Sequence, residues 1–159
     1  MTKDNTITAL FFEKLHSTGV AFESAKQIRL NEKSKILEKP NHDVELEQWY
    51  KREEAFSFPL TRGATIALQD WHSYCELSKN YFECDDLPWE KDLLSYIETL
   101  RNAGLTEFVI TDHSTALMDS IHLICSYQCE LVSLATVIRN EKRWGAYEEN
   151  TIPGILIRL

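Results

Sequence analysis

The most constraining stretch of this chain runs from Leu105 to Ile138, because its apolar period changes twice. Phe108, Val109 and Ile110 form a short apolar run bounded by polar residues, the pattern of a buried strand. After Asp112 the period lengthens from about 2 to about 3.6 residues, so that Leu117, Ile121 and Ile124 share one helical face, with Met118 and Cys125 beside them. Val132, Leu134 and Ile138 return to the shorter period. A strand-helix-strand unit of this length makes its two strands parallel and its crossover right-handed.

Helices are expected before this unit and strands around it. Ile7, Leu10, Phe11 and Leu15 make one stripe over residues 6–18, and Gly19 stands where a helix commonly ends. A second helix is expected over 21–38, stopped by Pro40. Asn41 or Asp43 is placed to cap a third, reaching about Phe56. Thr61 is a capping type for a helix over 61–78, with Ile66, Trp71, Tyr74 and Leu77 as its stripe and Gly63 in its first turn. Tyr81 to Cys84 reads as a short strand. Pro88 opens a helix to Asn102 whose buried face holds Trp89, Leu93, Tyr96 with Ile97, and Leu100, with Gly104 as its left-handed terminator. After Ile138 a polar run containing Trp144-Gly145 leads to a last strand over Ile152 to Leu159. The two form a long hairpin with Gly145 near its tip.

The expected fold is therefore α+β. A helical region over 1–78 is followed by an α/β domain over 79–159, the two making one compact unit. The second region reads β-α-β-α-β-β, a mixed four-stranded sheet with helices packed on it. The expected core includes Leu93, Ile97, Leu100, Phe108, Ile110, Leu117, Ile121, Val132, Leu134, Ile155 and Ile157.

Charge narrows the function classes. The formal net charge is −8, and residues 79–159 carry 7 Lys/Arg against 13 Asp/Glu. A free-standing nucleic-acid binder would show a basic footprint, so direct nucleic-acid binding is not expected. No apolar run approaches the roughly 20 residues of a spanning helix, and no secretory signal is recognisable at the start. The expected setting is the cytoplasm, away from membranes, with Cys75, Cys84, Cys125 and Cys129 reduced.

Several segments carry a resemblance: Leu87-Pro88-Trp89, Leu100 to Gly104, Glu107 to Met118, and Arg143-Trp144-Gly145. Together they resemble an uncharacterised family of small proteins carried by phages, plasmids and conjugative elements of Gram-positive bacteria. The resemblance covers roughly residues 80–159 and brings no catalytic residues with it. It implies a mobile-element setting, in which small acidic proteins commonly inhibit or regulate larger host machines.

Two constellations could carry function. Ligands of open α/β sheets bind beyond the carboxyl ends of parallel strands, which here carry Cys84-Asp85-Asp86 and Thr111-Asp112-His113. If Asp85, Asp86 and Asp112 converged, they would suit Mg²⁺ or Mn²⁺, with His113 as a general acid or base and a phosphate at the following helix start. That alternative is a metal-dependent enzyme acting on a phosphorylated small molecule. The bland explanation is helix capping, which favours acids and Ser at these positions. Asp112-His113-Ser114 is no hydrolase triad, because triads are assembled from separate segments. Asp119 with His122, and Cys125 with Cys129, read as structural.

The leading expectation is a non-enzymatic acidic binding protein without a cofactor, an inhibitor or regulator of a host protein with a basic surface. From Glu83 to Asp119 the chain holds 9 acidic and 2 basic residues. Glu83, Asp85, Asp86, Glu90 and Asp112 are the expected binding carboxylates, and Trp144 is the expected aromatic anchor. Composition leaves the oligomeric state open.

Overall fold

The computed structural model describes residues 3–159, with side chains described from Thr6 onward. Among these residues the chain forms α1 (Lys3–Leu37), α2 (Asp43–Glu53), α3 (Arg62–Glu76), β1 (Glu83–Cys84), α4 (Glu90–Asn102), β2 (Glu107–Ile110), α5 (Leu117–Ser126), β3 (Glu130–Arg143) and β4 (Ala146–Arg158). The expected α+β class and strand-helix order hold. By contacts the chain divides into Met1–Phe12 with Thr61–Leu159, and Glu13–Leu60, rather than at Ser78. Among the described residues no helix is long and apolar enough to cross a membrane.

The sheet of the first unit has the order β1-β2-β4-β3. β1 and β2 are parallel neighbours on either side of the α4 crossover. β4 is antiparallel to both β2 and β3, so β2 and β3 run parallel with β4 between them. The strand-helix-strand unit read from the sequence is thus present, with the last strand inserted into its gap.

Register assigns the two faces. Cys84, Phe108, Ile110, Ile155 and Ile157 share one face. There α4 buries Leu93, Tyr96, Ile97 and Leu100, and the Tyr96 ring meets Phe108 edge-on with centroids 6.1 Å apart. Gly104, at φ 80, closes α4: its N–H donates to Arg101 O, and Leu105 N–H donates to Leu100 O. That pair of bonds satisfies carbonyls the helix end would otherwise orphan.

The opposite face carries Glu83, Val109, Thr111 and Gly154. The long β3–β4 hairpin curls over it, because Arg139, far along β3, reaches Glu83 on β1. Nearby, Asn140 N–H donates to Leu77 O (2.8 Å), Ile138 N–H donates to Asn80 Oδ1 (2.7 Å), and the Asn80 amide donates to Thr136 O (3.1 Å). The segment entering β1 at one sheet edge therefore also covers part of β3 at the other, protecting a long edge strand. Glu83 lies at the centre of this closure. Its carboxylate pairs with Lys79 Nζ (2.7 Å) and with Arg139, and accepts from Thr111 Oγ1 (2.5 Å).

Several expectations are corrected. α1 runs straight through Gly19, since one interior glycine costs only about 1 kcal/mol and no proline reinforces it. In its first part, up to Phe12, the buried residues are Thr8 and Phe12, while Ile7 and Leu10 are exposed. Thr8 Oγ1 donates to Ala103 O (2.8 Å), and Phe12 stacks on Trp71 at 4.9 Å and Phe82 at 6.2 Å. In α3 the buried stripe is Gly63, Ala64, Ala67 and Asp70, not the large residues of the expected stripe. Val132 and Leu134 are exposed, not core. A bulge between Leu131 and Ser133 leaves Val132 unpaired, and β3 is the outer strand at this point, so Val137 is the residue it buries. Trp89 is exposed as well. It occupies the N-cap position of α4 with an extended backbone (ψ 153), so it does not share that helix's period.

Within Glu13–Leu60, Ile36 and Trp49 are buried. Trp49 Nε1–H donates to Arg29 O (3.1 Å). Arg29 pairs with Glu53, and its guanidinium lies 3.9 Å from the Phe56 ring centre.

Candidate functional site

The loops leaving β1 and β2 meet at the carboxyl ends of the two parallel strands. Asp112 holds them together: its Oδ2 accepts from Leu87 N–H (2.9 Å) and its Oδ1 from Ser114 N–H (2.6 Å). With both oxygens engaged, this carboxylate is a clamp between two turns. The clamp buries Leu87 and Pro88 and lifts Trp89 outward, 79% exposed. Asp85, Asp86 and Glu90 are exposed around it. Glu90 and Asp92 sit in the first turn of α4, where the helix dipole favours them.

Leu87-Pro88-Trp89 forms a ridge shared by two clefts. One, of about 770 Å³, lies toward α3 and is lined by Arg62, Asp70, Asp85, Asp86, Lys91 and Asp92 among others. The other, of about 740 Å³, lies toward α5. Its lining includes Asp86, Glu90, Asp112, Asp119 and His122, with Leu87 and Leu123 as apolar surface and neither Lys nor Arg. This second cleft is the more one-signed of the two. Both volumes fall in the range of ligand sites.

Not every expected site residue is in this region. Glu83 is corrected from an exposed binding group to a buried structural one, because Lys79 and Arg139 neutralise it inside the fold. Burial alone would raise its pKa, but hydrogen bonds from Arg139, Lys79 and Thr111 outweigh that and hold it below the usual glutamate value. Asp85 keeps part of its exposure while lying 3.7 Å from Arg139. Among the described residues no group of three or more His, Cys, Asp or Glu side chains is placed to hold a metal ion, so Asp85, Asp86 and Asp112 do not assemble the Mg²⁺ or Mn²⁺ site of the alternative expectation. His113 is exposed and lines neither cleft.

Trp144 also lines neither cleft. It occupies the hairpin tip, fully exposed, with φ 51, followed by Gly145 at φ 85. Two positive φ values in a two-residue connection are those of a type I′ turn, which favours Asn or Gly at the place Trp144 holds.

Sequence reading missed Asp70. It is buried on α3, lines the first cleft, and its Oδ2 accepts from the Tyr96 hydroxyl (2.6 Å). Burial pushes its pKa from 3.8 up to about 7, with the Tyr96 hydrogen bond acting in the opposite direction. The available signal was spacing: Gly63, Ala67 and Asp70 share a helical face, which put a carboxylate in a stripe of small apolar residues.

Residues 66–159 match the family model described as a domain of unknown function, DUF7698. The chain belongs to this family. The DUF7698 stretch takes in both clefts from Ile66 onward, the Trp89 ridge and the Trp144 hairpin. It begins inside α3 and extends the resemblance read from the sequence toward the N-terminus. No curated protein and no solved structure matches the chain.

Proposed function

We propose that this chain is a non-enzymatic acidic binding protein that engages a basic segment of a partner protein across the Trp89 ridge. The observation that carries this reading is Trp89 itself. A tryptophan 79% exposed, wedged between two clefts and ringed by Asp85, Asp86 and Glu90, contributes nothing to the core. Such a ring attracts a lysine or arginine to its face, and the surrounding carboxylates hold the charge. Acidic clefts steer basic partners and speed their arrival, while a desolvated aromatic supplies the lasting affinity.

In this reading the chain works in the cytoplasm as an inhibitor or regulator of a larger host protein, encoded by a mobile element. The mobile-element setting rests on the sequence resemblance and the basic partner on the charge of the rim. The metal-dependent alternative has no converging donor set in its favour.

The test is titration of an oligo-arginine peptide into the full chain, followed by Trp fluorescence. Affinity should fall steeply between about 50 and 500 mM salt as the charges are screened. Trp89→Ala should weaken binding by about 30-fold, the effect of losing an interface hot spot. Asp86→Lys and Glu90→Lys should mainly slow association. Binding indifferent to salt and to all three substitutions would make the rim merely solubilising.

A further inference from the structure

We infer that the cleft between α3 and the Trp89 ridge is a socket for one basic side chain of the partner, whose charged end hydrogen-bonds to Asp70 in the cleft wall. This rests on the reading of the ridge as a site for basic segments, and adds to it the residue that selects for charge.

The argument starts from how Asp70 is satisfied. It is only 8% exposed, in the α3 stripe of Gly63, Ala64 and Ala67. Its Oδ2 accepts from the Tyr96 hydroxyl (2.6 Å), and its Oδ1 accepts from no group among the described residues. Those residues hold no buried side-chain oxygen without a hydrogen bond. Oδ1 is therefore the atom through which Asp70 opens, and it opens into the cleft of about 770 Å³ that Asp70 lines. No cation of the described residues lies within ion-pairing distance of it. Lys79 pairs with Glu83 instead, and Lys91 is exposed at the start of α4. Arg62 begins α3 two turns earlier, about 12 Å along the axis. An asparagine would accept the same Tyr96 bond with no charge to bury. The carboxyl instead costs stability when it ionises. A buried ionisable group in a cleft wall, kept at such a cost, marks a use outside the core.

A cationic side chain supplies what Asp70 lacks. Its N–H donates to Oδ1 while its charge offsets the ionised carboxyl, a bond strengthened by the low local dielectric. Trp89 and Leu87 line the same cleft and offer aromatic and apolar surface to the aliphatic stem. The rim does not decide the matter, because it is mixed in charge. Asp85, Asp86 and Asp92 stand against Arg62 and Lys91, and Asp85 lies 3.7 Å from Arg139. These groups are largely exposed and screened by salt, whereas Asp70 is not.

Filling the socket is linked to a proton. Asp70 ionises near 7. Facing it are Tyr96 from α4 and Cys84 from β1, both pushed by burial well above their ordinary values and so protonated at neutrality. Lys79, Glu83 and Asp85 add charge around β1. Asp70 is thus the group of this cluster that changes charge near neutrality. The cation binds its ionised form, so affinity rises with pH up to about 7 and binding expels the proton.

The test titrates an oligo-arginine peptide into the full chain between about pH 5 and pH 8.5, for wild type and Asp70→Asn. Wild type should bind about 10-fold more tightly at the upper end, the worth of one charge-assisted hydrogen bond. Calorimetry near pH 6.5, in two buffers of different ionisation heat, should show a proton released on binding. In Asp70→Asn the gain with pH and the released proton should both be lost. Histidines such as His122 titrate in both chains, so the difference between the chains isolates Asp70. Equal pH profiles and equal proton release in the two chains would overturn the socket, while binding that still depends on salt and on Trp89 would leave the ridge reading intact. Asp70→Asn that binds more weakly at every pH, with the pH profile and proton release of wild type, would make Asp70 a support of the fold and also overturn the inference. A wild type that binds no oligo-arginine at any pH would remove both readings.

Discussion

Asp70 and Glu83 are two buried carboxylates with opposite consequences for stability. Asp70 ionises near 3.8 ordinarily and near 7 in the fold, so folding favours its protonated form. Its stabilising contribution is complete below pH 3.8 and is lost as pH rises toward about 7. At roughly 1.4 kcal/mol per pKa unit, the loss is bounded at about 4 kcal/mol. Glu83 is held below its ordinary 4.5, so its contribution is present above that pH and lost as pH falls. The stability optimum should therefore lie on the acid side of neutrality. Asp70→Asn retains an acceptor for the Tyr96 hydroxyl and removes the titration. Urea unfolding should find the variant more stable than wild type at pH 8, with the difference shrinking toward pH 4. A difference that does not vary with pH would mean that Asp70 does not titrate in this window. The spacing of Gly63, Ala67 and Asp70 held a signal for the first environment, whereas the second was not legible in the sequence. Glu83 stands in an acidic run and depends on Arg139, 56 positions away, for its charge balance.

Elements were more legible where local chemistry fixed them. Thr61 accepts from Ala64 N–H (3.1 Å) as a cap, Gly104 ends α4, and Gly145 turns the hairpin. The two-fold change of period between Leu105 and Ile138 located β2, α5 and β3, although period alone could not show that β4 separates the two strands. The misreadings arose where tertiary contact decided the face. The alternation of β3 was broken by its bulge, and α3 turned its small residues inward because α4 approaches it closely. Gly63 makes that approach possible. A Cβ there would meet Ser95 Oγ and the backbone of α4, including Asp92 O at 2.7 Å. Helix backbone cannot yield as a flexible side chain does, so Gly63→Ala should destabilise the fold by about 3 kcal/mol or more. Chemical denaturation checks this, and a loss near zero would mean that the α3–α4 spacing is looser than described.

At the scale of the molecule, the family stretch and the compact unit do not coincide. The stretch begins at Ile66, yet the unit also contains Thr61 to Thr65 and Met1–Phe12. The division proposed from charge and composition, at Ser78, could not see this, because Phe12 and Trp71 are far apart in sequence and meet only in the folded chain. Phe12 is wholly buried between Trp71 and Phe82, and Thr8 satisfies the carbonyl of Ala103. A fragment of residues 61–159 would retain every strand and both clefts but would expose the Trp71–Phe82 surface. Truncating a buried phenylalanine costs about 3–5 kcal/mol, a large fraction of the roughly 5–15 kcal/mol that holds a domain together. Phe12→Ala in the full chain should therefore lower the urea midpoint substantially. The fragment should be at least as unstable, since it loses the Thr8 bond as well. If the fragment unfolds at the same urea concentration as the full chain, the start of α1 is not part of this unit's core. If Phe12→Ala is severe while the fragment is stable, the cost arises from strain within α1 and not from the lost stack.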